Sequence, residues 1–260
     1  MNEPSSKPHF FPSEPGEVLG WVSGWVVAPL FALVSFARSA RTFHPRGSTL
    51  RATVRPHPAV PPELRALAQR WTGRALVRFS GALWKRAESV PDILGCAVRL
   101  VSGVGDPAHP AAGDQDLLFA TVRRPWTLPF APLTTRVRDY LQNDYYAVSP
   151  FDVGEEEPVY LRLHPWRVPA GRSGRRSERL LQAVKQGSVL EVGVSRKPGG
   201  AYTPVVEIGL EGPASVDEEA LHFSPFRDGR DVRPHGFIHA LRRAVYSASQ
   251  RGRSARESHT

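Results

Sequence analysis

The chain has 260 residues, 41% of them hydrophobic, and a net charge of +9. That apolar content excludes global disorder, and the lone cysteine, Cys96, excludes an intrachain disulfide and a cysteine-rich metal cluster. The charge is nearly all arginine and is spread along the chain instead of gathered in one arm, so no nucleic-acid partner is expected.

Residues 1–17 form a polar, proline-rich leader with Glu3, Glu14 and Glu17. Val18 to Ala37 then runs twenty residues without a charge, long enough to cross a bilayer as a helix. Pro29 sits inside it, which membrane helices tolerate better than soluble ones. Arg38, Arg41 and Arg46 come next, so a spanning helix would leave the rest of the chain on the cytoplasmic side. A buried amphipathic helix and one lying on a membrane surface are the alternatives. The expected division is therefore 1–37, a leader plus apolar and membrane-associated helix, and 38–260, one domain, with a cytoplasmic location.

From residue 42 onward the texture changes to short apolar runs. Strands are expected at Thr49–Val54, Ala75–Phe79, Ile93–Leu100, Leu117–Val122, Pro158–Leu163, Val189–Val194 and Val205–Leu210. Cys96 lies in the third run and reads as a buried small hydrophobe. Helices are expected at Pro62–Thr72, Thr134–Asn143, Glu178–Lys185 and from near Pro234 to the C-terminal region. The basic stretch Arg167–Arg179 reads as an exposed loop. Glu155–Glu157 reads as a hairpin loop, and Asp217–Glu219 as the first turn of a short helix. Many strands with few helices, broken by 25 prolines and 22 glycines, favour an α+β chain built on an antiparallel β-barrel with helices outside.

Several segments carry chemistry. Arg41-Thr-Phe-His44-Pro-Arg-Gly47 precedes an alternating strand. Val77-Arg78-Phe79-Ser80 and Gly95-Cys-Ala97-Val-Arg99-Leu come after it, then Asp116-Leu-Leu-Phe119-Ala-Thr121. Near the C-terminus, Arg242 and Tyr246 are four apart and share one helix face. An arginine beside a phenol favours the phenolate, a hard anionic ligand suited to ferric iron. His235 and His239 are also four apart, but no third metal ligand accompanies them. No phosphate loop and no G-x-S-x-G is present.

Taken in order, these segments resemble those of the catalase superfamily, over about 40–253 and with the middle matched loosely. The short length resembles its small, peroxidase-type branch. The resemblance implies the catalase-type barrel with a C-terminal haem-ligating helix, haem b as cofactor, and a haem-dependent peroxidase or catalase-like oxidoreductase acting on hydrogen peroxide or organic hydroperoxides. It implies an organic reductant as partner. A fatty-acid hydroperoxide isomerase or lyase and a non-enzymatic haem binder are the alternatives. Residue by residue, it makes Tyr246 the iron ligand, with Arg242 holding it as phenolate. His44 becomes the distal acid–base group, oriented by Ser80. Arg41, Arg78 and Arg253 become partners of the haem propionates. Thr121 stands where the family has a distal asparagine. It and Phe119 are expected to line one cavity, because side chains alternate along a strand.

Overall fold

Alternation of apolar and polar residues shapes most of the chain beyond Gly47, because each strand can bury only one row of side chains. The computed structural model describes residues 47–235, apart from 82–87, 104–107, 125–126, 128–129, 148, 155–156, 219 and 225–226. In chain order these form β1 (Ser48–Pro56), a 3₁₀ turn over Pro62–Leu64 leading into α1 (Arg65–Trp71), β2 (Gly73–Gly81), β3 (Leu94–Leu100) and β4 (Gln115–Ala120). After them come α2 (Ala131–Thr134), a 3₁₀ turn over Tyr140–Gln142, β5 (Tyr145–Tyr146), β6 (Phe151–Asp152) and β7 (Tyr160–Arg167). The series ends with α3 (Arg176–Lys185), β8 (Val189–Ser195), β9 (Thr203–Pro213) and β10 (Arg233–Pro234).

Eight strands close into an antiparallel barrel in the order β1-β2-β3-β4-β5-β7-β8-β9, with β9 returning to β1. A barrel of this size has an interior that side chains can fill. Leu50, Val77, Phe79, Val98, Phe119 and Ile208 belong to that filling. The short β6 and β10 pair separately. Pro165 cannot donate to the ladder, and the pairing of β7 with β8 slips just beyond it. Leu67 and Trp71 of α1 and Leu180 and Ala183 of α3 are buried in the same core as the barrel interior.

The seven expected strands are all present, with β2 and β9 longer than the apolar runs suggested. Three two-residue strands, β5, β6 and β10, carry too few residues for a periodic signal. The helix expected over Thr134–Asn143 is not one helix: α2 ends at Thr134 and a separate 3₁₀ turn occupies Tyr140–Gln142. Asn143 explains the break, since its side chain bonds the backbone of Arg136 and Asp139 and so competes with helical pairing. The Arg167–Arg179 stretch is not uniformly exposed either. Arg172 Nη2 pairs with the buried Asp139 at 2.8 Å, and Arg176 opens α3, buried over the Tyr140 ring. Asp217 caps a turn instead of a helix, accepting from Ala220 N. Cys96 is buried in β3 as expected, and burial pushes its thiol well up. Among the described residues no helix is long and apolar enough to cross a membrane; 18–37 and nearly all of the helix expected from Pro234 onward lie outside them.

Candidate functional site

Strands β1 to β4 present an outer face whose side chains are set by register. Ser80 stands beside Gly95, and Gly95 beside Ala120. One row below, Thr49, Arg78, Ala97 and Leu118 line up across four strands. Small residues thus form a floor bounded by a hydroxyl and a guanidinium. The floor is tight: a Cβ on Gly95 would lie 3.2 Å from Ser80 Oγ. Among the described residues no partner takes the Ser80 hydroxyl. Gly47 itself lies close against Arg78, since a Cβ there would meet Arg78 Nε at 2.5 Å.

Arg78 is mostly buried and pairs with Glu218 Oε2 at 3.1 Å, while Thr49 Oγ1 donates to Glu218 Oε1 at 2.6 Å. Its guanidinium is therefore already in a carboxylate-binding position. Glu218 reaches it from a strap, residues 214–230, that crosses the outer face after β9. The strap is stapled by a fully buried ion pair, with Arg99 Nε 2.8 Å from Asp116 Oδ1. Asp116 also accepts from Ser224 N at 2.8 Å and from Arg227. The Arg99 guanidinium lies 4.9 Å from the centroid of the Phe223 ring. Leu76 and Ala108 pack on Leu221 beneath it.

Of the residues singled out in the sequence, Arg78 and Ser80 share this face. Phe119 does not. It points into the barrel core with Leu117, while Leu118 and Ala120 face outward with Asp116. Thr121 lies just past the end of β4. Its hydroxyl accepts from Leu94 N at 3.1 Å and bonds Thr135 Oγ1 at 2.7 Å, so it closes the sheet edge. Phe119 is thus on the face opposite Ser80, because one residue of offset along a strand reverses the face; the cavity that Phe119 and Thr121 are expected to line also involves His44, which lies outside the described residues. Ala120 is the residue beside Gly95 and Ser80. Arg41, His44, Arg242, Tyr246 and Arg253 lie outside the described residues, as does His239.

A second polar cluster, which carries no motif in the sequence, decorates the outer face around β5, β7 and β8. Asp144 Oδ1 lies 2.6 Å from His164 Nδ1, and Tyr146 Oη donates to Asp144 Oδ2 at 3.2 Å. Burial pushes the Asp144 carboxyl up, but the His164 hydrogen bond and charge, with help from Arg162 and Tyr146, outweigh it and hold the group below its ordinary value. Burial and the Asp144 carboxylate push the Tyr146 phenol up to about 12. Nearby, Glu191 binds Arg162 Nη2 at 3.2 Å and faces His57 Nε2 at 3.6 Å. His57 Nδ1 accepts from Ala59 N, which puts the proton of the neutral ring on Nε2. The signal was the strand alternation itself: residues 162 and 164 share a face, and register sets Arg162 beside Tyr146. Among the described residues no three side chains are grouped to hold a metal ion. Comparison of the chain with models of protein families and with curated proteins gave no match.

Proposed function

We propose that this chain is a small, catalase-related haem protein that reduces hydrogen peroxide or organic hydroperoxides, with the outer face of β1 to β4 as its distal wall. The observation that carries the reading is the ladder of Ser80, Gly95 and Ala120 above Arg78, Ala97 and Leu118. It sets three of the resembling segments, those of β2, β3 and β4, side by side in a closed antiparallel barrel. A flat aromatic macrocycle fits such a floor, because Gly95, Ala97 and Ala120 project at most a methyl group. Arg78 suits a propionate, since its guanidinium already binds a carboxylate.

In this reading Tyr246 supplies the phenolate ligand with Arg242 beside it, and Arg41, Arg78 and Arg253 neutralise propionates. When bound, the haem supplies an iron centre able to take up the oxidising equivalents of a peroxide. His44 takes the proton of the inner peroxide oxygen and delivers it to the outer one, so that water or an alcohol leaves. Ser80 takes the orienting role that the resemblance gives it. Ala120 favours organic hydroperoxides, including fatty-acid hydroperoxides undergoing isomerisation, over hydrogen peroxide. A methyl leaves room for a substituent and offers no donor to the departing oxygen.

The test is reconstitution of the full chain with ferric haem b, then absorbance and peroxide turnover with and without an organic reductant. The expected result is a spectrum of tyrosinate-ligated ferric haem that Tyr246→Phe abolishes, and turnover that requires the reductant. Failure to bind haem, or a Tyr246→Phe variant with the parent's spectrum, overturns the reading. Stable binding with no turnover of any peroxide makes the protein a haem binder instead.

A further inference from the structure

Four arginines and no acid occur between Leu117 and Arg138, a stretch that also contains Trp126, Leu128, Phe130 and Leu133. The structure exposes two of its apolar members. Phe130 is 64% exposed and Leu133 is 75% exposed, the two most exposed large hydrophobics among the described residues. Phe130 caps α2 at its N-terminus and Leu133 lies inside it, so the two are three apart and project to one side. Their backbone is not loose. Ala131 beneath them is buried, and Thr135 Oγ1 bonds both Ala131 O and the buried Thr121. A fixed element thus holds two apolar side chains out in water.

The exposed charges flanking α2 along the chain are of one sign. Arg123, Arg136 and Arg138 are exposed. Arg123 Nη2 donates to Gly199 O at 2.8 Å, which ties the β8–β9 hairpin and its exposed Lys197 to the same region. The nearest acid along the chain, Asp139, is buried and neutralised by Arg172. Arg196 on that hairpin contributes less, because Glu157 faces it at 3.7 Å.

We propose that this α2 corner is a docking surface for an anionic lipid bilayer. Phe130 and Leu133 enter the headgroup boundary and Arg136, Arg138 and Arg123 meet lipid phosphates. The charge fits an anionic partner, and two protruding apolar side chains suit a deformable medium. The inference stands independently of haem binding.

The experiment is co-sedimentation of the full chain with vesicles of equal parts phosphatidylglycerol and phosphatidylcholine, and with phosphatidylcholine alone. The expected result is binding to the anionic vesicles only, weakening as salt shortens the screening length. Each arginine near an anionic surface is worth about fivefold, so Arg136→Gln with Arg138→Gln should weaken binding about 30-fold. Phe130→Ser with Leu133→Ser should weaken it roughly 100-fold, at about tenfold or more per side chain. All four residues are exposed, so melting should not change. Leu133→Ser alone repeats the test should the double variant melt lower. Undiminished binding by both pairs of variants overturns the proposal and moves membrane contact to another segment such as 18–37. Equal binding to both vesicles overturns it too. So does tight binding of a single-stranded RNA oligonucleotide that the arginine changes abolish and the Phe130 and Leu133 changes leave intact.

Discussion

Removing the Asp116 carboxylate should be among the most damaging single changes outside the barrel core. Arg99 is completely buried, and Asp116 accepts its Nε at 2.8 Å and its Nη2 at 3.2 Å. In Asp116→Asn the guanidinium keeps the carbonyls of Ala108 and His222 but loses the opposite charge. Breaking a buried pair this way costs about 3–5 kcal/mol, because an uncompensated charge stays out of water. That is a large part of the roughly 5–15 kcal/mol that holds a typical domain together. With a urea slope of about 2 kcal/mol/M, the unfolding midpoint should fall by roughly 1.5–2.5 M. Arg99→Met alone should do similar harm, by leaving the carboxylate buried with only Arg227 and Ser224 N. The double variant Arg99→Met, Asp116→Leu should lose less than the two singles added, because neither charge of the pair is left buried alone, although Ser224 N–H, Arg227 and the carbonyls of Ala108 and His222 lose these bonds. Urea titrations of the four proteins close the cycle. An Asp116→Asn variant within about 1 kcal/mol of the parent, or a double variant worse than both singles added, refutes the claim that this desolvated pair staples the strap.

Three further outcomes rest on particular contacts. Ala120→Asn should raise oxygen release from hydrogen peroxide by the haem-loaded protein while Thr121→Asn should not, because Ala120 shares the face of Ser80 and the Thr121 hydroxyl is tied to Leu94 and Thr135; oxygen-electrode traces decide it. His164→Phe should destabilise at neutral pH by about 0.5–1 kcal/mol, a small value because both His164 and Asp144 are more than a third exposed. The Asp144 carboxyl is held low, so its contribution is present above the unfolded value and is lost as pH falls through the folded one; melting curves should therefore differ at pH 7 and converge as pH falls below the ordinary aspartate range, and a constant difference would contradict the assignment. Gly229→Ala should cost about 1–3 kcal/mol in a thermal or urea melt although residue 229 is exposed, since its Cβ would come within 2.5 Å of Gly113 Cα and Asp114 O, backbone atoms that cannot swing aside.

Strand identity was legible in the sequence because it depends on a local period. Leu117 and Phe119 must face one way and Leu118 and Ala120 the other, whatever surrounds them. The same locality made α1 and α3 readable and Cys96 recognisable as core. Arg78 and Ser80 are two apart on β2, and that alternation alone sets them on one face. Alternation did not say which face meets a neighbour: the barrel interior takes Phe119, and the Thr121 hydroxyl is tied to Leu94 and Thr135 at the end of β4. Only closure of the barrel set Gly95 between Ser80 and Ala120, and only the strap brought Glu218 to Arg78 across 140 residues of chain. Pairings between distant segments rest on register and on the packing of whole strands, quantities that no window of neighbouring residues contains. The sequence by itself therefore determined the alternating strands, the buried rows and the excess of arginine; the tertiary structure decided which of those arginines are neutralised in the interior, as at Arg99, and which are left at the surface to meet something else, as at Arg136 and Arg138.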